Sequence, residues 1–217
     1  MSKRKVARAA PPARNDGHLR NGAPVEAIRA AAFKLFAERG YPMVTVRDIM
    51  KACGLTQGAL YNHFKSKDEL LHDVIASTQA ELERQCQQAV AGAGEDARAK
   101  LAAFVRVYVM RHCRLRIEAL VANRELGWLD GERVAAIRRS RRAIRDILVG
   151  ILNQGVDKGV FDPPQIDGKR DLKAQAMALL DQCTHVSMWY GPGGRLNEEQ
   201  MAKLYAETAL RAVGARS

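Results

Sequence analysis

From residue 23 onwards apolar residues recur every third or fourth position, and no stretch alternates apolar and polar residues as a half-buried strand would. Val25, Ile28, Ala32, Leu35 and Phe36 form one stripe, which predicts a helix closed by Gly40. Thr45 opens a short helix carrying Val46, Ile49, Met50 and Cys53, closed by Gly54, and Thr56 opens a second through Tyr61. Ser66 and Glu69 have the spacing of a capping box, and a long helix follows along Leu71, Val74, Ile75, Leu82 and Ala89 until Gly92 and Gly94 break it. Leu101, Phe104, Val105, Tyr108 and Leu115 line a helix that starts near Asp96. A shorter segment covers about 116–128, Asp130 caps a helix through about 157, and two more run over roughly 168–190 and 197–213. The pattern predicts an all-α chain with an N-terminal three-helix head, residues 23–68, and a larger helical body, residues 69–217. Residues 1–22 hold Pro11, Pro12, Gly17 and Gly22 without periodicity, which predicts a flexible arm.

Composition narrows the class. At 47% hydrophobic the chain has the material for a packed core, and no run approaches the ~20 apolar residues of a membrane span. The basic N-terminus is followed by no apolar run, which argues against secretion. Cys53, Cys86, Cys113 and Cys183 are far apart, which argues against a zinc ribbon or a disulfide framework and fits a reducing cytoplasm. The net charge of +11 is concentrated in two places. Lys3, Arg4, Lys5, Arg8, Arg14 and Arg20 stand in the arm against Asp16 alone, and residues 132–146 hold six arginines against Glu132 and Asp146. A basic arm suits a polyanion such as nucleic acid, though a solubilising tail has the same composition.

The segment 45–64 carries the sharpest chemistry. Two short amphipathic helices meet at Cys53-Gly54-Leu55, where Gly54 permits the left-handed backbone of a tight turn. The second helix presents Gln57, Gly58, Tyr61 and Asn62 outward, with Ala59 and Leu60 inward. Amide and phenol groups reach base edges or phosphates, and Gly58 lets the helix come close to a duplex. Thr45 and Thr56 stand at helix starts, where backbone N–H groups attract phosphate, and Lys67 is placed to do the same.

The run FAERGYPMVTVRDIMKACGLTQGALYNHFKSKDELL, residues 36–71, resembles without a gap the DNA-binding head of the TetR/AcrR family of bacterial transcriptional regulators. Gly40, Thr45, Ile49, Gly54, Tyr61, Phe64, Lys67 and Leu70 carry the resemblance in combination. It implies a homodimeric repressor that binds double-stranded DNA at a palindromic operator, with a helical body that takes a small-molecule effector. Thr45, Thr56, Gln57, Gly58, Tyr61, Asn62, His63 and Lys67 match the family's DNA-contacting positions, Arg47 joins them from the preceding helix, and Phe64 is core. A fainter similarity, in ILNQGVDKGVF, HVSMWYGPGG and EEQMA, is to the bodies of members that sense acyl-CoA thioesters.

Within the body, Leu172, Ala176, Leu179, Leu180, Cys183 and Tyr190 form one stripe while Met177, Met188 and Trp189 lie opposite. A helix apolar on nearly all sides is either central in its own body or covered by a partner subunit. Met201, Leu204, Tyr205 and the small Ala202, Ala206 and Ala209 extend that surface, so the last two helices are the expected dimer interface. Arg141 falls between Ile137, Ile144 and Leu148 on an apolar stripe, so it snorkels outward, pairs with Glu118 or Glu125, or meets an anionic ligand. His112 sits with Phe104, Tyr108 and Leu115, and Arg124 lies beside Glu125 near Trp128. Phe104, Tyr108, His112, Arg124, Trp128, Arg141 and Trp189 are therefore the candidate effector residues, with Arg138, Arg142 and Arg145 a solvated face or a phosphate-attracting mouth. No Gly-rich phosphate loop, Gly-x-Ser-x-Gly or His-Glu-x-x-His occurs, and the expectation is a protein without cofactor, metal or enzymatic activity. An architectural DNA binder is the competing class; it would share the head but has no need of polar residues inside an apolar body.

Overall fold

The computed structural model describes residues 23–191 and 193–215; the predicted basic arm lies outside the described residues. Among the described residues the chain is helical, with no strand. The helices are α1 (Ala23–Arg39), α2 (Val46–Ala52), α3 (Gln57–Tyr61), α4 (Lys67–Gly92), α5 (Ala97–Arg114), α6 (Arg116–Arg124), α7 (Gly131–Asp157), α8 (Leu172–Trp189) and α9 (Glu198–Ala212). One-turn 3-10 helices cover Tyr41–Met43 and Glu125–Trp128.

Local chemistry sets these boundaries. Thr45 and Asp48 form a complete capping box at α2, with the Asp48 N–H donating to Thr45 Oγ1 at 3.2 Å and the Thr45 N–H to Asp48 Oδ2 at 3.0 Å. At α4 the box is displaced by one residue: the Glu69 N–H donates to Ser66 Oγ, but the Glu69 carboxylate accepts from Lys65 N instead of Ser66 N. Asp130 and Thr56 stand at the N-caps of α7 and α3 without side-chain cap bonds. Helix α8 begins at Leu172, later than the expected 168, because Ile166 and Lys169 pair across a tight turn. Asp167 and Gly168 fill that turn at φ 50 and 73, the Asp-Gly chemistry of a two-residue reverse turn.

Two apolar clusters organise the packing. The first gathers Ile28, Ala32 and Phe36 of α1, Ile49 and Met50 of α2, Leu60 of α3 and Leu70 to Ile75 of α4. It also takes Val121 and Ala122 of α6 and Ile137 of α7, so the head is closed from below by the body. The second surrounds α5, whose Leu101, Phe104, Val105 and Val109 meet α4, α7, α8 and α9. Helix α9 lies along α5, and Ala202, Ala206 and Ala209 are buried there. That corrects one expectation: these small residues bring α9 close to its own α5, and of the apolar residues assigned to the partner-facing surface Met177, Met188 and Trp189 of α8 and Leu204 of α9 remain exposed, Met177 at the cavity.

Candidate nucleic-acid interface and ligand cavity

Helices α2 and α3 are set at an angle by a turn that meets the definition of a Schellman motif. The Leu55 N–H bonds to Met50 O at 2.9 Å and the Gly54 N–H to Lys51 O at 3.2 Å, with Gly54 at φ 68. Ile49, Met50, Leu60 and Phe64 anchor the pair from inside. On the outside, Thr45, Arg47, Thr56, Gln57, Gly58, Tyr61, Asn62 and His63 are all exposed. A Cβ added at Gly58 would meet nothing within 4 Å, so the head's own packing does not require glycine in this helix. Glycine inside a helix costs roughly 1 kcal/mol relative to alanine, and a site that accepts this cost with no internal reason suits close approach by another molecule.

Lys67 behaves differently. Its Nζ donates to Tyr41 O at 3.0 Å and Val44 O at 2.8 Å, and it sits 4.1 Å from the centre of the Tyr41 ring. Burial lowers its pKa. The ammonium is thus occupied in tying α4 to the turn before α2, with Tyr41 itself hydrogen-bonded to Asp68 and edge-on to Phe36. Its part in this structure is to position the helix pair.

The body holds a cavity of about 740 Å³ between α4, α5, α6, α7 and α8. Gln79, Tyr108, His112 and Ile144 are its buried lining, and Met177, Ala178 and Leu180 add apolar surface from α8. Four arginines of α7 line it as well: Arg138, Arg141, Arg142 and Arg145. Their charges are not equivalent. Arg145 is paired with Asp146 at 2.6 Å, and outside the cavity Arg133 and Arg139 stand near Asp130 and Glu132. Arg138 and Arg142 have no ion-pair partner among the described residues. Arg141 meets neither Glu118 nor Glu125; its guanidinium donates to Ala122 O at 2.8 Å and Asn123 Oδ1 at 3.1 Å. Burial lowers the pKa of Arg141 and pushes that of His112 down to about 4, with a smaller upward pull from the His112 bond to Tyr108 O. Three guanidiniums without an ion-pair partner therefore share one cavity with a neutral imidazole and, from α8, the Asp181 carboxylate.

Of the candidate effector residues the structure brings together Tyr108, His112 and Arg141. Phe104 is packed one turn before Tyr108 in α5, stacked on it with ring centres 5.9 Å apart, and does not line the cavity. Arg124 is directed at the head: it donates to Phe36 O, and at 3.1 Å to Ala37 O, while Glu125 holds its Nε at 2.7 Å. Trp128 lies beside Tyr41 with ring centres 6.2 Å apart, and Trp189 is on the exposed outer side of α8. The residue pattern missed Gln79, Asn123, Asp181 and Thr184 as cavity residues. Met177, Asp181 and Thr184 recur at helical spacing on one side of α8, and that polar break in an apolar helix was the available signal.

Comparison with known proteins agrees with this arrangement. Residues 28–74 match the family described as bacterial regulatory proteins, tetR family, and residues 94–213 match the tetracyclin repressor-like C-terminal domain. The HTH-type transcriptional repressor KstR2 of Rhodococcus jostii is 30% identical over 201 residues, covering 92% of this chain and 95% of that protein. A crystal structure of a tetR-family regulatory protein from Rhodococcus RHA1 superposes with a TM-score of 0.80 at 30% identity, covering 89% of this chain and 98% of that one. AibR, solved in complex with isovaleryl coenzyme A and operator DNA, shares the fold with a TM-score of 0.75 at 24% identity, covering 89% of this chain and 100% of that one. With a helix-turn-helix head, a body matched over more than half its length and a full-length relative, this chain belongs to the TetR family of bacterial transcriptional regulators.

Proposed function

We propose that the protein is a homodimeric repressor whose two heads read a palindromic operator, and that an acyl-CoA thioester bound in the body releases the DNA. The observation that carries the effector assignment is the set Arg138, Arg141 and Arg142, three cations without carboxylate partners around one partly apolar cavity. Coenzyme A presents phosphates at one end and an acyl chain at the other. Guanidinium groups take the first, and Ile144, Met177 and Leu180 suit the second. AibR, complexed with a CoA thioester and with operator DNA, supports the same combination of fold and ligand class.

On this reading residues 23–68 read DNA, residues 69–217 bind effector and partner, and the arm adds sequence-independent attraction to phosphate in the cytoplasm. Thr45, Arg47, Thr56, Gln57, Gly58, Tyr61, Asn62 and His63 form the contact face. The exposed Met188, Trp189 and Leu204 meet the same surface of a second copy, which gives the two-fold axis a palindrome requires. Coupling runs through α6. Arg141 holds α6 from the cavity side by Ala122 and Asn123, and Arg124, in the same helix, holds the last turn of α1. A phosphate that draws Arg141 away from α6 changes the seat of α1 and with it the spacing of the heads. A coupling of ~1–3 kcal/mol is typical for such a link.

The test is selection of bound duplexes from a random pool. A palindromic consensus is expected, and its two half-sites should protect equal lengths in footprinting. Recovery of duplexes without a consensus would instead identify a sequence-indifferent architectural protein.

A further inference from the structure

The buried lining of the cavity carries a hydrogen-bonding requirement that phosphate binding does not meet. His112 Nδ1 lies 2.8 Å from Tyr108 O, one turn earlier in α5. A carbonyl only accepts, so Nδ1 carries the hydrogen. The ring is buried and neutral, which leaves Nε2 as a lone-pair acceptor, and no donor among the described residues is bonded to it. The Tyr108 ring stacks on the imidazole with centres 4.4 Å apart. Tyr108 Oη lies 2.9 Å from Thr184 Oγ1 across the α5–α8 boundary. Two hydroxyls joined by one hydrogen bond use one hydrogen between them and leave one O–H to donate. Gln79, buried on α4, faces the same cavity with no hydrogen bond of its own, and its amide offers both a donor and an acceptor.

Around the stacked rings the lining therefore presents one acceptor lacking a donor and one hydroxyl with a hydrogen to give, with the Gln79 amide beside them. An alcohol satisfies both, donating to Nε2 and accepting from the hydroxyl pair. A ketone or a carboxylate can accept the spare O–H but has no hydrogen for Nε2, so it satisfies one of the two groups. A saturated chain meets neither group, and where it displaces water it leaves a buried acceptor unpaired.

We infer that the cavity selects a hydroxyacyl thioester, its hydroxyl held between His112 Nε2 and the Tyr108–Thr184 pair, over the saturated and oxo counterparts. The inference rests on the proposed reading of this cavity as a CoA-thioester site. It assigns His112 and Thr184 the choice of acyl group, and the arginines of α7 the common CoA portion.

Calorimetric titration of the full chain with octanoyl-CoA and its 3-hydroxy, 8-hydroxy and 3-oxo derivatives tests it. One hydroxylated thioester is expected to bind about tenfold tighter than octanoyl-CoA and 3-oxooctanoyl-CoA. His112→Phe keeps the ring stack and removes the acceptor, so it should bring the derivatives to within about twofold of one another. Thr184→Val, at a half-buried site on α8, asks the same question should the first variant fail to fold. Equal binding of all four thioesters to the wild type overturns the hydroxyl inference while leaving the thioester reading in place. Binding of none overturns the thioester reading and the inference with it. A hydroxyl preference that persists in both variants overturns the assignment to His112 and Thr184.

Discussion

Tyr61 is 59% exposed on α3, so removing its ring leaves no hole in the head. Tyr61→Ala should weaken operator binding by about 10–100-fold with an unchanged helical circular dichroism signal and melting temperature. Unfolding of the variant would make Tyr61 a packing residue instead. His112 is the opposite case, 6% exposed, with a folded pKa of about 4 against 6.5 for the ordinary group. Between those values the unfolded chain binds the additional proton, so stability falls as pH is lowered through that window and is fully present above it. The loss is roughly 3 kcal/mol by pH 4. His112→Phe should flatten the pH dependence of the urea midpoint between pH 7 and 4.5; parallel profiles for variant and wild type would contradict the burial of a neutral ring. Both residues could be placed from the helical period, which tells inside from outside. Lys67, Arg124 and Arg141 could not, because their partners are backbone carbonyls distant in sequence, at Tyr41 and Val44, at Phe36 and Ala37, and at Ala122. Every residue carries a carbonyl, so no side-chain pattern announces which one a cation will find.

At the level of elements, α6 is nine residues long; Arg141 holds its C-terminal end, and its own Arg124 reaches from that end to α1. Glu125 is 2% exposed and paired with Arg124, so deleting Arg124 would strand a buried charge. Arg124→Lys retains the charge but loses the fork that serves Glu125 and α1 together. It should leave effector affinity within about twofold and cut the effector's leverage on DNA affinity about fivefold or more. The ratio of DNA dissociation constants with and without saturating effector measures this, and an unchanged ratio would remove α6 from the coupling route. Helix ends were readable where the cap is built from adjacent side chains or from a glycine in the left-handed region, as at Thr45–Asp48 and Gly54. The start of α8 was misplaced because periodicity across Asp167 and Gly168 hides a reverse turn that the Asp-Gly pair itself encodes.

For the whole molecule, the all-α organisation was legible because nearly every helix has one apolar stripe, but which neighbour a stripe meets was not. Ala202, Ala206 and Ala209 would fit a close approach to a second subunit as well as to α5, and only the assembled body shows that α5 takes them. The surface left for a partner is the exposed side of α8 and α9, where Met188 is 61% and Trp189 59% exposed. Met188→Glu should turn the sedimenting species from dimer to monomer without changing helical content, and it should abolish palindromic binding because one head alone reads half a site. A variant that stays dimeric would move the interface elsewhere. On the proposed function one molecule links a thioester in the body to DNA at the head. The most direct test of that link is binding to the intergenic DNA beside its own gene while CoA thioesters are added one at a time. Tight binding at a palindrome, reversed by a thioester and not by coenzyme A alone, is the predicted result; specific binding that no thioester disturbs would contradict the effector assignment.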